Sequence, residues 1–199
     1  IWQPQLNFFK NYSNLSYDIL GHGKSSLTKQ NISFDDFSEQ LIELIDELKI
    51  EKIHLVGFSI GSLIARNFAI RYGDRLQSLI LLGSIYKRSE QQQKIVNERF
   101  DEAKKELKLS RQALKRWFTD KYLENNPETY EKISSILSAN NMANFLKIYK
   151  LFVRHKNDED FEKIYCKTLV MTGENDIGST IEMSQQLNNI IENSELKII

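Results

Sequence analysis

The chain is short of cysteine, and Cys166 is its single example. One thiol cannot close an internal disulfide, so a disulfide-stapled secreted scaffold is excluded and a reducing cytoplasm is expected. Cys166 opens an apolar stretch and reads as core rather than nucleophile. Excess charge is also lacking: 27 Lys and Arg balance 27 Asp and Glu. A nucleic-acid or membrane-surface protein would carry a basic surplus, so neither partner is expected. No apolar run approaches the length that crosses a bilayer. No signal peptide is visible, and Ile1 is not a start Met, so a preceding segment is expected. Glycine is absent from about Lys87 to about Lys163, and no histidine follows Asp176.

What is present is enough for a core: 41% hydrophobic and 11% aromatic residues in 199. That length suits one domain, or one domain with an insertion. Apolar runs at Leu15–Leu20, Ile53–Val56, Leu76–Leu82 and Thr168–Thr172 predict strands, and Leu196–Ile199 begins another. Ile53–Val56 is nearly all apolar, as in a parallel strand covered on both faces. Helices are predicted between them. One starts at a capping box, Ser33 with Asp36, and keeps Phe37, Leu41, Leu44, Ile45 and Leu48 on one side. A second runs Ile60–Tyr72, and a third opens at Ser179 with Glu182 and runs to Ile191. Strand and helix in alternation predict a doubly wound, mostly parallel α/β sheet. The glycine-free stretch predicts four helices with breaks near Leu109, Asn125 and Asn140, with Ser110 and Asn126-Pro127 as caps. The organisation is therefore a core of residues 1–86 and 165–199, interrupted by a helical insertion at 87–164.

The stretch with most chemistry is Gly57-Phe-Ser59-Ile-Gly61, between a strand and a helix. This G-x-S-x-G pattern, in that context, is a nucleophile elbow. The turn forces its serine into a strained backbone conformation, and small residues are expected on both sides of it. An activated serine also needs a base, an acid that orients the base, and donors for an oxyanion. The backbone N–H of Ile60, at a helix N-terminus, is the expected first donor. The acid is expected just past a later strand, where Gly173-Glu-Asn-Asp176 lies; Asp176 is the choice and Glu174 the runner-up. None of His22, His54 and His155 stands in the chain order a triad base requires. The base is therefore expected beyond Ile199, and a second oxyanion donor ahead of Ile1. With those pieces absent, the 199 residues alone are expected to be poorly soluble and inert. No metal or cofactor is expected.

Four segments carry a resemblance: Tyr17–Ser25, Leu55–Gly61, Leu79–Ser84 and Leu169–Asp176. Together they resemble the α/β-hydrolase superfamily over essentially the whole chain. Asp18 to Ser25 is similar to the family's Asp-x-x-Gly-His-Gly-x-Ser loop, which makes His22 a structural loop residue. By the same resemblance Ser59 is the nucleophile, Asp176 the acid, and the helical insertion the cap over the site. Within the superfamily the chain looks most like the 3-oxoadipate enol-lactonase group, which hydrolyses small carboxylated lactones, esters or amides. The pattern Thr172–Thr180 and the stretch Arg116-Trp-Phe118 carry that closer likeness. Ser59 separates the chain from haloalkane dehalogenases, which place a carboxylate there. A small carboxylated substrate would need a cation, and Arg88, Arg116 and Arg154, with Trp117 beside Arg116, are the candidates. A thioesterase or general carboxylesterase stays open, as does a non-catalytic ligand receptor on the same fold. The oligomeric state is left open.

Overall fold

The computed structural model describes residues 1–106 and 117–199. Four parallel strands form one sheet in the order β1-β2-β3-β4. They are β1 (Ile53–Phe58), β2 (Leu76–Leu82), β3 (Lys167–Thr172) and β4 (Ser194–Ile198). Ahead of the sheet lie α1 (Gln3–Phe8) and α2 (Phe34–Glu47), and α3 (Ile60–Arg71) connects β1 to β2. Between β2 and β3 come α4 (Glu90–Glu106), α5 (Asp120–Asn125), α6 (Pro127–Ser138) and α7 (Met142–Arg154). The last crossover carries α8 (Ile181–Ile190).

The main core lies where α3 and α8 pack on the sheet. Leu79, Leu81 and Val170 meet Leu63, Phe68, Ala69, Met183, Leu187 and Ile191 there, all buried. The helix α2 joins through Leu41 and Ile45. Its start is the expected capping box: Ser33 Oγ accepts from Asp36 N, and the Asp36 carboxylate accepts from Ser33 N. Of its expected apolar stripe, Leu48 remains exposed at the C-cap.

Four local expectations are corrected. Leu15–Leu20 forms no strand, because no neighbour among the described residues offers it a ladder. That segment is held by side chains instead: Gln40 accepts from Leu20 N and donates to Asp18 O, and Ser25 Oγ donates to Asp18 O. The N-cap of α8 is Thr180, which accepts from Met183 N, because Ser179 Oγ is committed to Gly83 O. Asn126 precedes Pro127 as expected, but its side chain donates backwards to Tyr122 O and caps the end of α5. The break expected at Leu109 and the cap at Ser110 lie outside the described residues. The outward residues of β1 are less covered than a strand enclosed on both faces: Val56 and Phe58 are each 43% exposed.

Candidate active site

β1 ends at Phe58 and α3 begins at Ile60, leaving one residue to turn the chain. That residue is Ser59, with φ 54° and ψ −120°. A non-glycine residue at positive φ carries strain that the surrounding structure must hold in place. Ser59 N–H donates to Leu82 O (3.0 Å), while Ser59 O accepts from Ser62 N (2.9 Å) and Ser62 Oγ (2.5 Å). The Ser59 hydroxyl makes no cap bond and is half-exposed. The expectation of small residues on both sides of the serine holds on one side only. A Cβ on Gly57 would lie under 3.0 Å from the Gly61 backbone and 2.7 Å from Ser62 Cα, whereas a Cβ on Gly61 would meet nothing within 4 Å. The close approach is one-sided, because Gly57 faces the first turn of α3 while the Cβ direction of Gly61 leaves the strand.

The N–H groups of Ile60 and Gly61 find no acceptor among the described residues. Both lie at the positive end of α3, where free N–H groups favour a negative oxygen.

Asp176 sits in the loop after β3. Its Oδ1 accepts from Gly178 N (2.8 Å) and Ser179 N (2.9 Å), which fixes the carboxylate. Its Oδ2 faces Gly83: a Cβ built there would come to 3.7 Å from it and 3.3 Å from the Phe58 ring. Gly83 has φ 57°, a conformation that favours glycine, while the space around it is merely tight. Ser179 Oγ donates to Gly83 O (2.8 Å), and Gly83 N donates to Met171 O (2.8 Å). The end of β2 therefore joins the two sides: Leu82 holds the Ser59 amide, and Gly83 borders Asp176. Ser59 and Asp176 follow strands two positions apart, a span of about 10 Å at the strand ends. Glu174 is exposed; its amide donates to Ile199 O.

The histidines lie elsewhere, and no hydrogen bond among the described residues joins one to Ser59 or Asp176. His22 is in a loop tied by Asp18, whose Oδ2 accepts from Lys24 N (2.9 Å). A Cβ on Gly23 would strike that carboxylate, with Oδ1 at 2.6 Å, and Gly23 has φ 51°. Burial pulls His22 below its ordinary pKa, against opposing contributions from Leu20 O and Asp18. His54 is bonded to Ser78 Oγ (2.7 Å). His155 follows α7, edge-on to Phe34, with Nε2 3.2 Å from Glu159 Oε1.

Among the expected substrate-binding residues, Arg88 donates to Phe152 O (3.1 Å) and Val153 O (3.4 Å) at the end of α7 and lies over the Phe152 ring (4.5 Å). Burial lowers its pKa to about 10, so it stays charged at neutral pH. Its Nη2 is buried without a partner. Arg88 lines a cleft of about 690 Å³ with Gln93, Asn97, His155 and Asn157; neither Ser59 nor Asp176 borders that cleft. Trp117 is 56% exposed and Arg154 is exposed. Arg116 lies outside the described residues. Among the described residues no group of three or more His, Cys, Asp and Glu is placed to hold a metal, and no helix is long and apolar enough to cross a membrane.

The sequence reading missed Arg66. It is 0% exposed on α3, and its Nη1 donates to Ile85 O (2.8 Å) and Ser84 Oγ (3.3 Å). Its Nη2 pairs with Glu159 and lies 3.3 Å from His155 Nε2. The available signal was its setting: residues 62–66, 68 and 69 of α3 are all buried, so an arginine there had no solvent face.

A strained serine at a tight turn between a parallel strand and a helix, with a fixed carboxylate after a later strand, is the geometry of an α/β fold with a strand–turn–helix elbow. The comparisons with known proteins agree. The family described as alpha/beta hydrolase fold matches residues 3–199, and the chain belongs to it. The chain is 30% identical over 189 residues to the (E)-2-((N-methylformamido)methylene)succinate hydrolase of Acinetobacter baylyi, covering 94% of this chain and 71% of that protein. It is 26% identical to 3-oxoadipate enol-lactonase 2 of the same organism, over 100% of this chain and 75% of that one. The crystal structure of the enol-lactonase from Burkholderia xenovorans LB400 shares the fold, with a TM-score of 0.83 at 20% identity, over 100% of this chain and 76% of that one.

Proposed function

We propose that the protein is a serine hydrolase that cleaves a small carboxylated ester, lactone or amide through an acyl-enzyme. The single observation that carries this is Ser59 at φ 54°, its hydroxyl uncommitted, over the free N–H groups of α3. Ser59 Oγ attacks the carbonyl carbon, and the Ile60 N–H donates to the oxyanion as the tetrahedral intermediate forms. Asp176 accepts from the N–H of an imidazole that takes the serine proton and returns it to the leaving group. The likeness to enzymes named for a substituted succinate and an enol-lactone supports a carboxylated substrate. Arg88, Arg116 and Arg154, with Trp117, are the candidates to pair with that carboxylate, although the cleft that Arg88 lines is bordered by neither Ser59 nor Asp176. The helical insertion acts as the cap over the site. The reaction needs no cofactor.

A second reading, a non-catalytic receptor of the same fold, draws on the partners of the three histidines, none of which is hydrogen-bonded to Ser59. The coding sequence past Ile199 separates the two. A Gly-x-x-His stretch there supports the enzyme, and a full-length chain without histidine supports the receptor. In the complete protein, Ser59→Ala is expected to abolish turnover of carboxylated lactone and amide panels while leaving the fold intact; retained full turnover refutes Ser59 as the nucleophile, and a wild type that turns over none of the panel refutes the enzyme.

A further inference from the structure

The loop that follows β2 touches both halves of the site. Leu82 O holds the Ser59 amide, and Gly83 O accepts from Ser179, whose N–H binds Asp176 Oδ1. The next two residues, Ser84 and Ile85, are both held by one group, the guanidinium of Arg66. Arg66 lies seven residues after Ser59 on α3, so elbow helix and loop are fixed to each other through it. Its other nitrogen reaches Glu159, in the segment that returns from α7 to β3, and its face stacks on Phe161 of that segment (4.9 Å). A buried charge needs a partner to remain in place. The position of Arg66 on the loop therefore depends on Glu159 being docked.

We infer that Arg66 is a positioning residue: its pair with Glu159 couples docking of the insertion's return segment to the spacing of Ser59 and Asp176. This rests on the serine-hydrolase reading above. When the return segment is docked, Glu159 balances the guanidinium and Arg66 holds Ser84 and Ile85. When it is undocked, the uncompensated guanidinium turns towards water, and the loop carrying Gly83 is released from α3. A displacement of about 1 Å at a reacting group costs up to about 100-fold in rate, so the coupling acts on kcat rather than on substrate affinity.

The test uses the protein as its gene encodes it, with p-nitrophenyl butyrate as substrate and a fluorophosphonate to count reactive Ser59. Glu159→Gln is expected to lower kcat per labelled serine by about tenfold or more, with KM within about twofold. Glu159→Asp should recover part of the loss, and Lys163→Ala, a surface change in the same segment, should change neither constant. Should Glu159→Gln fail to fold, Ser84→Ala removes one link and keeps the ion pair; its kcat is expected to fall about threefold or more. A lower melting temperature with kcat per labelled serine unchanged in either variant overturns the inference and leaves Arg66 a structural residue. A wild-type protein that neither labels nor turns over overturns the hydrolase reading itself, and this inference with it.

Discussion

At Ser59 the chain holds a conformation that costs about 1–3 kcal/mol for a residue with a side chain, and Gly57 is what makes it reachable. Gly57→Ala drives a methyl group into the Gly61 backbone; an overpacking penalty of at least about 1–3 kcal/mol is expected, read as a loss of melting temperature or of soluble protein. Gly61→Ala places its methyl group in open space inside a helix. It is expected to be neutral or to stabilise by about 0.5–1 kcal/mol. Equal damage from both substitutions contradicts the one-sided turn. The G-x-S-x-G pattern was legible because it is local, but which glycine is forced was not, since that depends on the angle between β1 and α3. A second residue-scale expectation concerns Tyr17, whose hydroxyl burial pushes up to about 12. A raised pKa means that the fold favours the neutral phenol. Its contribution is complete below about pH 10 and is lost as pH rises through about 12. Alkaline melting curves should show that loss, and Tyr17→Phe should remove it.

At the scale of elements, legibility followed the range of the interactions. The Ser33–Asp36 box closes within four residues and was read correctly. Ser179 looked like the same device, but its hydroxyl is taken by Gly83, 96 residues earlier in the chain. Leu15–Leu20 has strand composition without a strand, because β pairing is decided by a neighbour and composition records only suitability. The end of α7 shows a third case. Arg88 satisfies the Phe152 and Val153 carbonyls from outside the helix, as a cation at a helix C-terminus should. Arg88→Met is expected to cost about 1–2 kcal/mol through those lost charged hydrogen bonds. Arg154→Ala, at an exposed position one residue before the C-cap, should stay within about 0.5 kcal/mol. Chemical denaturation of the two variants side by side checks this. If Arg88 also pairs with substrate, KM rises for carboxylated esters and not for neutral ones.

For the whole molecule, the alternation from α2 through β1, α3, β2, β3, α8 and β4 was legible from periodicity, because each of those apolar runs serves one buried layer, whereas α1 was not foreseen and Leu15–Leu20 forms no strand. The Arg66–Glu159 pair was not, because it joins residues 93 apart that only the closed fold brings together. Burial on its own would raise the Glu159 carboxyl. Hydrogen bonding from His155 and the charge of Arg66 outweigh it and hold the group below its ordinary value. A depressed carboxyl pKa adds stability that is complete above the ordinary range, about 4.3, and disappears as pH falls through the lower folded value. Acid titration of wild type should therefore show a loss beginning near that range and deepening below it, and Glu159→Gln should flatten the curve. Removing one partner of a buried pair costs about 3–5 kcal/mol, so Arg66→Met should be among the most destabilising single changes, read as a loss of melting temperature.

The most direct measurement is fluorophosphonate labelling of the complete protein, followed by mass mapping of the modified residue. One adduct on Ser59, with no labelling after Ser59→Ala or after denaturation, is the result expected of an elbow nucleophile. A folded wild-type protein whose Ser59 stays unmodified, or whose adduct forms on another serine at the same rate, would contradict it.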